Sequence, residues 1–181
     1  MATGATVYVF EIQLANADRS VYEALSLRVA QHPSETKEYL LTRVLAYCLE
    51  YTEGIAFSAG GLSDPDEPAI AVRDLTGALQ TWIDIGAPEA SRLHKASKAA
   101  RRVAVYTHKQ PSLLLEKLKG ERIHRVDELA IYALDSDLLT ALAARLERRM
   151  RFDLSVSDGH LYITIAAETL SDAIEMHRVQ A

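Results

Sequence analysis

The chain has 181 residues, 49% of them hydrophobic and 25% charged, with a formal net charge of −5. This suits one folded domain and excludes bulk attraction to nucleic acid or anionic lipid, so any polyanion must meet a local basic patch. The single cysteine, Cys48, excludes an internal disulfide framework, and no charge-free stretch is long enough to span a bilayer, so a cytoplasmic protein of bacterial type with no membrane partner is expected.

Two alternating runs, ATVYVFEIQL and SVYEALSLRVA, flank ANADR and predict a hairpin over 4–31. His32-Pro33-Ser34-Glu35 predicts a helix start, with Leu41, Val44, Leu45 and Cys48 as its buried stripe and an end near Gly54. A short strand IAFS follows. A second hairpin then turns at Asp74 to Gly77 and returns through LQTWIDI. Pro88 and Glu89 open a helix to about Ala100, RVAVYT reads as a buried strand, and Ser112 to Lys119 as a helix stopped by Gly120. LAIYAL is one more strand. Ser136 is expected to cap a helix carrying Leu138, Leu139, Leu142 and Leu146 on one face. DLSVSDGHLYITI predicts a hairpin turning at Asp158-Gly159. The order predicts a single α/β domain with a mixed sheet, and the terminal hairpins join each other or extend that sheet as an antiparallel layer.

The acids of residues 62–98 are the main lead to function. Asp64, Asp66 and Glu67 precede one apolar run, and Asp84 sits within the next among Trp82, Ile83 and Ile85, although Asp is depleted in strands. Counting outward from the turn places Asp84 opposite Glu67 or Pro68, depending on whether Gly77 makes a bulge. Close carboxylates need a cation or a shared proton between them, and oxygen ligands suit Mg²⁺ or Mn²⁺. Glu38 shares a helical stripe with Leu41, Leu45 and Cys48 and is carried as an auxiliary acid. Arg92, Lys95 and Lys98 form a cationic row on the helix after the acid strand, where phosphate could be met. Arg145, Arg148, Arg149 and Arg151 are the densest basic run, read mainly as a complement to the helix dipole and also as the best nucleic-acid patch of an acidic chain.

HPSET with Glu38 and Arg43, then DEP, WIDIG, Pro88 and the Arg92-to-Lys95 spacing, resemble the YaeQ family, a variant of the PD-(D/E)XK nuclease-like fold, over nearly the whole chain. The resemblance implies a restriction-endonuclease-like core of mixed α/β class over about 33–150, with hairpins 4–31 and 152–178 as an added β layer. It implies a metal-dependent nuclease site: Asp66, Glu67 and Asp84 on Mg²⁺ or Mn²⁺, with Lys95 stabilising the nucleophile and Glu38 assisting. One departure stands out, because the motif's lysine two residues after the strand acid is Gly86 here. The expected activity is phosphodiester hydrolysis. The alternative is a scaffold that has lost turnover and binds nucleic acid or protein as a regulator.

Other chemistries find no support. The six histidines show neither H-x-H nor HExxH spacing, and the AGG at 59–61 lacks the lysine and hydroxyl residue of a P-loop. No G-x-G-x-x-G follows a strand, and no G-x-S-x-G marks a hydrolase elbow.

Overall fold

The computed structural model describes residues 4–59 and 64–180; Gly60 and Gly61 of the AGG run lie outside the described residues. In chain order the first elements are β1 (Thr6–Asn16), β2 (Val21–Gln31), α1 (Lys37–Leu49), β3 (Ile55–Phe57), β4 (Ile70–Arg73), β5 (Leu79–Ile85), α2 (Ala90–Ala99) and β6 (Arg102–Thr107). There follow α3 (Pro111–Leu118), β7 (Ala130–Ala133), α4 (Ser136–Ala143), β8 (Arg149–Ser157), β9 (His160–Ile165), β10 (Glu168–Ala173) and β11 (Glu175–His177). The chain forms two compact units. One runs through Leu41 and resumes over Asp135–Ile174; the other covers Thr42–Leu134 and resumes at Glu175.

Unit 1 is a five-stranded sheet in the order β10-β9-β8-β1-β2. The two terminal hairpins do join, through a parallel pairing of β1 with β8 that sets Val9 beside Arg149. Period-2 alternation drives it: Phe10, Ile12 and Leu14 of β1 and Phe152 and Leu154 of β8 are buried, while Arg149, Arg151 and Asp153 point outward. Burying each such side chain contributes roughly 1.5–3 kcal/mol. The Asp158-Gly159 turn has both residues at positive φ, as a two-residue hairpin demands. Asp18 in the first hairpin's turn accepts both of their N–H groups, at 2.7 and 2.9 Å.

Unit 2 is a six-stranded sheet in the order β11-β7-β6-β5-β4-β3, with β5, β6 and β7 parallel. Its core gathers Trp82, Leu93, Ala96, Val105, Leu118 and Ile131, so one face of α2 lies against the strands. Cys48 is fully buried and its thiol is pushed up to about 12 by desolvation, which leaves it inert.

Several boundaries differ from expectation. The HPSE segment is a turn, closed by Glu35 N–H on His32 carbonyl at 2.9 Å and by His32 N–H on the Glu35 carboxylate at 3.1 Å. Those bonds hold the chain out of the helix until Thr36, whose hydroxyl accepts the Tyr39 N–H as a cap. Asp135, one residue before Ser136, caps α4 through Leu138 N–H at 3.1 Å. That helix ends at Ala143, so Arg149 and Arg151 belong to a strand and do not complement a helix dipole. The strands β10 and β11 were not expected, because ETLSDAIEMH lacks a clear alternation.

Candidate functional site

The position of Asp84 is set by register. Arg73 pairs with Leu79 but Val72 pairs with Thr81, so Gln80 is the bulged residue and Gly77 serves the turn instead. Continuing from Ile70 opposite Ile83 sets Asp84 level with Ala69, and neither Glu67 nor Pro68 faces it. Asp84 also lies on an interior strand, between β4 and β6, and is only 2% exposed. A bare carboxylate in that position would be costly.

The compensating cation is Arg92. After β5 the chain turns at Gly86 and Pro88 and enters α2, which returns Arg92 over the end of the strand. Its Nε donates to one Asp84 oxygen at 2.8 Å and its Nη2 to the other at 3.0 Å, a two-pronged fork. Nη1 donates to the Pro65 carbonyl at 2.9 Å and Nη2 also to the Glu67 carbonyl at 2.7 Å. The guanidinium lies 5.2 Å from the Trp82 ring centre, within cation–π range. Arg92 thus binds the strand acid and clamps the 65–67 loop through backbone carbonyls.

The remaining acids are engaged elsewhere. Lys95 pairs with Asp66, and that hydrogen bond and charge hold the exposed Asp66 carboxyl below its ordinary range. The Glu67 carboxylate accepts from Ser58 Oγ at 2.8 Å, and Asp64 accepts from the Asp66 N–H at 2.9 Å. Glu38 is half-buried in the first turn of α1, within the part of the chain that belongs to unit 1. Among the described residues no three His, Cys, Asp or Glu side chains stand close enough to hold a metal ion. Asp66, Glu67 and Asp84 in this arrangement therefore do not fit a Mg²⁺ or Mn²⁺ centre: the donor oxygens of Asp84 are occupied by a fixed cation, and the other two carboxylates bond to Lys95 and Ser58.

Gly86, at the place of the motif's lysine, has φ +88, in the left-handed region that favours glycine. Its N–H bonds the Tyr106 carbonyl at 2.9 Å. The backbone thus explains why no lysine stands there.

Of the sequence-selected cations, Arg92 and Lys95 are paired with acids, and Lys98 has no close ion pair among the described residues. Lys98 is exposed near the end of α2. Its charge acts on His94 together with Arg122 and His124, and burial followed by these three neighbours holds the His94 imidazole below its ordinary range. Lys98 and Arg122 therefore lie close enough to His94 to disfavour its charged form. By contrast, Arg145 bonds Glu168 at 2.7 Å and Arg148 lies 5.9 Å from the Tyr8 ring centre, both within unit 1.

One network escaped the sequence reading. Glu50 takes a fork from Arg102 at 2.7 and 3.1 Å and a hydrogen bond from the Tyr106 hydroxyl at 2.7 Å, while Arg102 also reaches Tyr132. Burial lowers the Arg102 pKa, but Glu50 outweighs it and raises it overall; burial and then Glu50 push Tyr106 well up. Glu50 and Arg102 carry no spacing signal, and only the pairing of their elements in space joins them.

Comparison with known proteins gives a consistent result. The family model described as YaeQ protein matches residues 1–174. A protein of Escherichia coli strain K12 named "Uncharacterized protein YaeQ" is 29% identical over 165 residues, 91% of each chain. The crystal structure of YaeQ protein from Pseudomonas syringae superposes with a TM-score of 0.84 at 31% identity, covering 98% of this chain and 97% of that one. That of YaeQ protein from Xanthomonas axonopodis pv. citri gives 0.85 at 34% identity, covering 97% and 99%.

Proposed function

We propose that this chain, which belongs to the YaeQ family, is a non-hydrolysing scaffold that binds nucleic acid. The carrying observation is the Arg92 fork on Asp84. In the PD-(D/E)XK nucleases that the sequence resembles, the strand acid serves a metal, whereas here it serves an arginine that cannot lose its proton and offers no open coordination position. The fork has a structural use instead, because it ties the 65–67 loop to α2.

Binding is assigned to the basic end of α2. Lys98 and Arg122 are the cations beside His94, and among the described residues neither pairs with the acids of the 64–67 loop. An acidic protein meeting a polyanion through a few cations should bind weakly and with a steep salt dependence.

Two measurements test this reading. In thermal melts, a divalent ion at one hundred times its dissociation constant would contribute about 2.7 kcal/mol. The expected result is no Mg²⁺- or Mn²⁺-dependent shift that Asp84→Ala removes. In fluorescence anisotropy with single- and double-stranded oligonucleotides across salt, Lys98→Ala/Arg122→Ala should lose binding and Asp84→Ala should keep it. Mg²⁺-dependent cleavage by the wild type, abolished by Asp84→Ala or Lys95→Ala, would restore the nuclease reading. Absence of any oligonucleotide binding would end the nucleic-acid one.

A further inference from the structure

Beneath the last turn of α2, unit 2 holds a cleft of about 360 Å³. It opens among α2, the start of β6, the 123–129 segment, β7 and Arg178 of the C-terminal segment. Its size falls in the range of small-molecule sites, roughly 300–1,000 Å³. Leu93, Val103, Ile123 and Leu129 supply apolar wall, and all four belong to the buried core cluster.

The polar wall is dominated by guanidinium groups. Arg101, Arg102, Arg125 and Arg178 line the cleft against Asp127 and Glu128. Arg102 is matched by Glu50 outside the cleft, and Arg125 lies 3.4 Å from Glu128. Arg178 donates to the Glu128 carbonyl at 2.7 Å, a contact that fixes its position without neutralising it. Arg101 is exposed and makes no hydrogen bond or close ion pair among the described residues. Arg101 also acts on Asp74, which lies outside the cleft, so within the lining Asp127 and Glu128 stand against four guanidinium groups.

Arg125 shows that this wall is built. Its backbone is left-handed, φ +51, an uncommon conformation for a side chain of that size. Its Nη2 donates to the Ser97 and Ala100 carbonyls, both at 2.7 Å, which closes the end of α2. Its Nε–H is buried without an acceptor, and buried donors in that state are uncommon. A wall rich in fixed donors and short of acceptors, beside an apolar floor, matches a ligand with an anionic, acceptor-rich end and a flat apolar body.

We infer that this cleft binds the phosphate monoester of a nucleotide, with the phosphate between Arg101 and Arg178 and the base against Val103, Ile123 and Leu129. The ligand is either a free nucleoside monophosphate or the phosphorylated end of a strand, and the two share this chemistry. The inference does not rest on strand binding at the end of α2.

The test uses the full chain and calorimetric titration with four probes: AMP, adenosine, and a short oligonucleotide with and without a 5′ phosphate. AMP or the phosphorylated oligonucleotide should bind, whereas adenosine and the unphosphorylated strand should bind at least about tenfold more weakly. Binding by AMP assigns a free nucleotide; binding by the phosphorylated strand alone assigns a strand end. Arg101→Ala and Arg178→Ala should each weaken that binding about tenfold, with circular dichroism unchanged; Arg149→Ala, on β8 of unit 1, should not. The inference is overturned if neither phosphorylated probe binds, if adenosine binds as well as AMP, or if both cleft variants bind normally. Loss of strand binding in Lys98→Ala/Arg122→Ala with AMP binding retained separates this site from the proposed strand interface.

Discussion

At the scale of single residues, the Arg92–Asp84 pair is the most consequential contact. The Asp84 side chain is 3% exposed and that of Arg92 27%, so truncating either leaves the other short of its partner. Arg92→Ala strands a nearly buried carboxylate and should destabilise by about 3 kcal/mol, at the low end of the range for broken buried pairs because the guanidinium is partly wet. Asp84→Leu/Arg92→Leu removes both charges and should cost less than Arg92→Ala alone. Urea unfolding of the single and double variants measures this, and equal losses would mean that the carbonyl bonds to Pro65 and Glu67 matter more than the charge. A pH effect belongs to His94. Its folded pKa lies below 6.5, so the unfolded chain binds its proton first and stability declines as pH falls through the lowered value, being full above about 6.5. Burial is the larger cause and Lys98 the next, so Lys98→Gln should move the His94 midpoint partway back up in an NMR titration. A stationary midpoint would exclude Lys98 and leave burial with Arg122 and His124 as the cause.

At the scale of elements, period-2 patterning made the two terminal hairpins and β6 legible, because a sheet buried on one face or on both writes itself into the sequence. The acid strand was legible too, as an Asp misplaced among apolar residues. Its partner was not. Arg92 looked like one of an exposed cationic row, and its fork depends on a bulge at Gln80, which no glycine marks, and on loop carbonyls at Pro65 and Glu67, which leave no side-chain trace. The helix start after HPSE was misplaced for a similar reason, since Glu35 uses its carboxylate to close a turn and not to open a helix. The β5–α2 junction carries a prediction of its own. Gly86 at φ +88 should resist replacement, so Gly86→Lys, which restores the spacing of the nuclease motif, should cost roughly 1–3 kcal/mol in chemical denaturation and create no divalent-ion stabilisation. A neutral Gly86→Lys that gained such stabilisation would show that backbone strain does not explain the missing lysine.

At the scale of the whole molecule, each sheet is completed by a segment far along the chain. In unit 2, β11 covers the open edge of β7, Val179 enters the core and Arg178 bonds the Glu128 carbonyl. Removing residues 175–180 should expose the β7 edge, lower the melting temperature by several degrees and promote self-association, visible by light scattering. Unchanged mass and melting temperature would make that strand dispensable. In unit 1 the same arrangement governs birth on a ribosome. The β1–β2 ribbon emerges before β8, and an isolated hairpin is marginal in water. Its outer hydrogen-bonding edge and the row Phe10, Ile12 and Leu14 must wait for β8, since Val9 meets Arg149 only after the whole intervening stretch has been made. Throughout that wait the nascent chain presents an unpaired apolar strand to chaperones or to a neighbouring copy, so yield in expression should respond to ribosome-associated chaperones and to translation speed more than the finished fold's stability suggests.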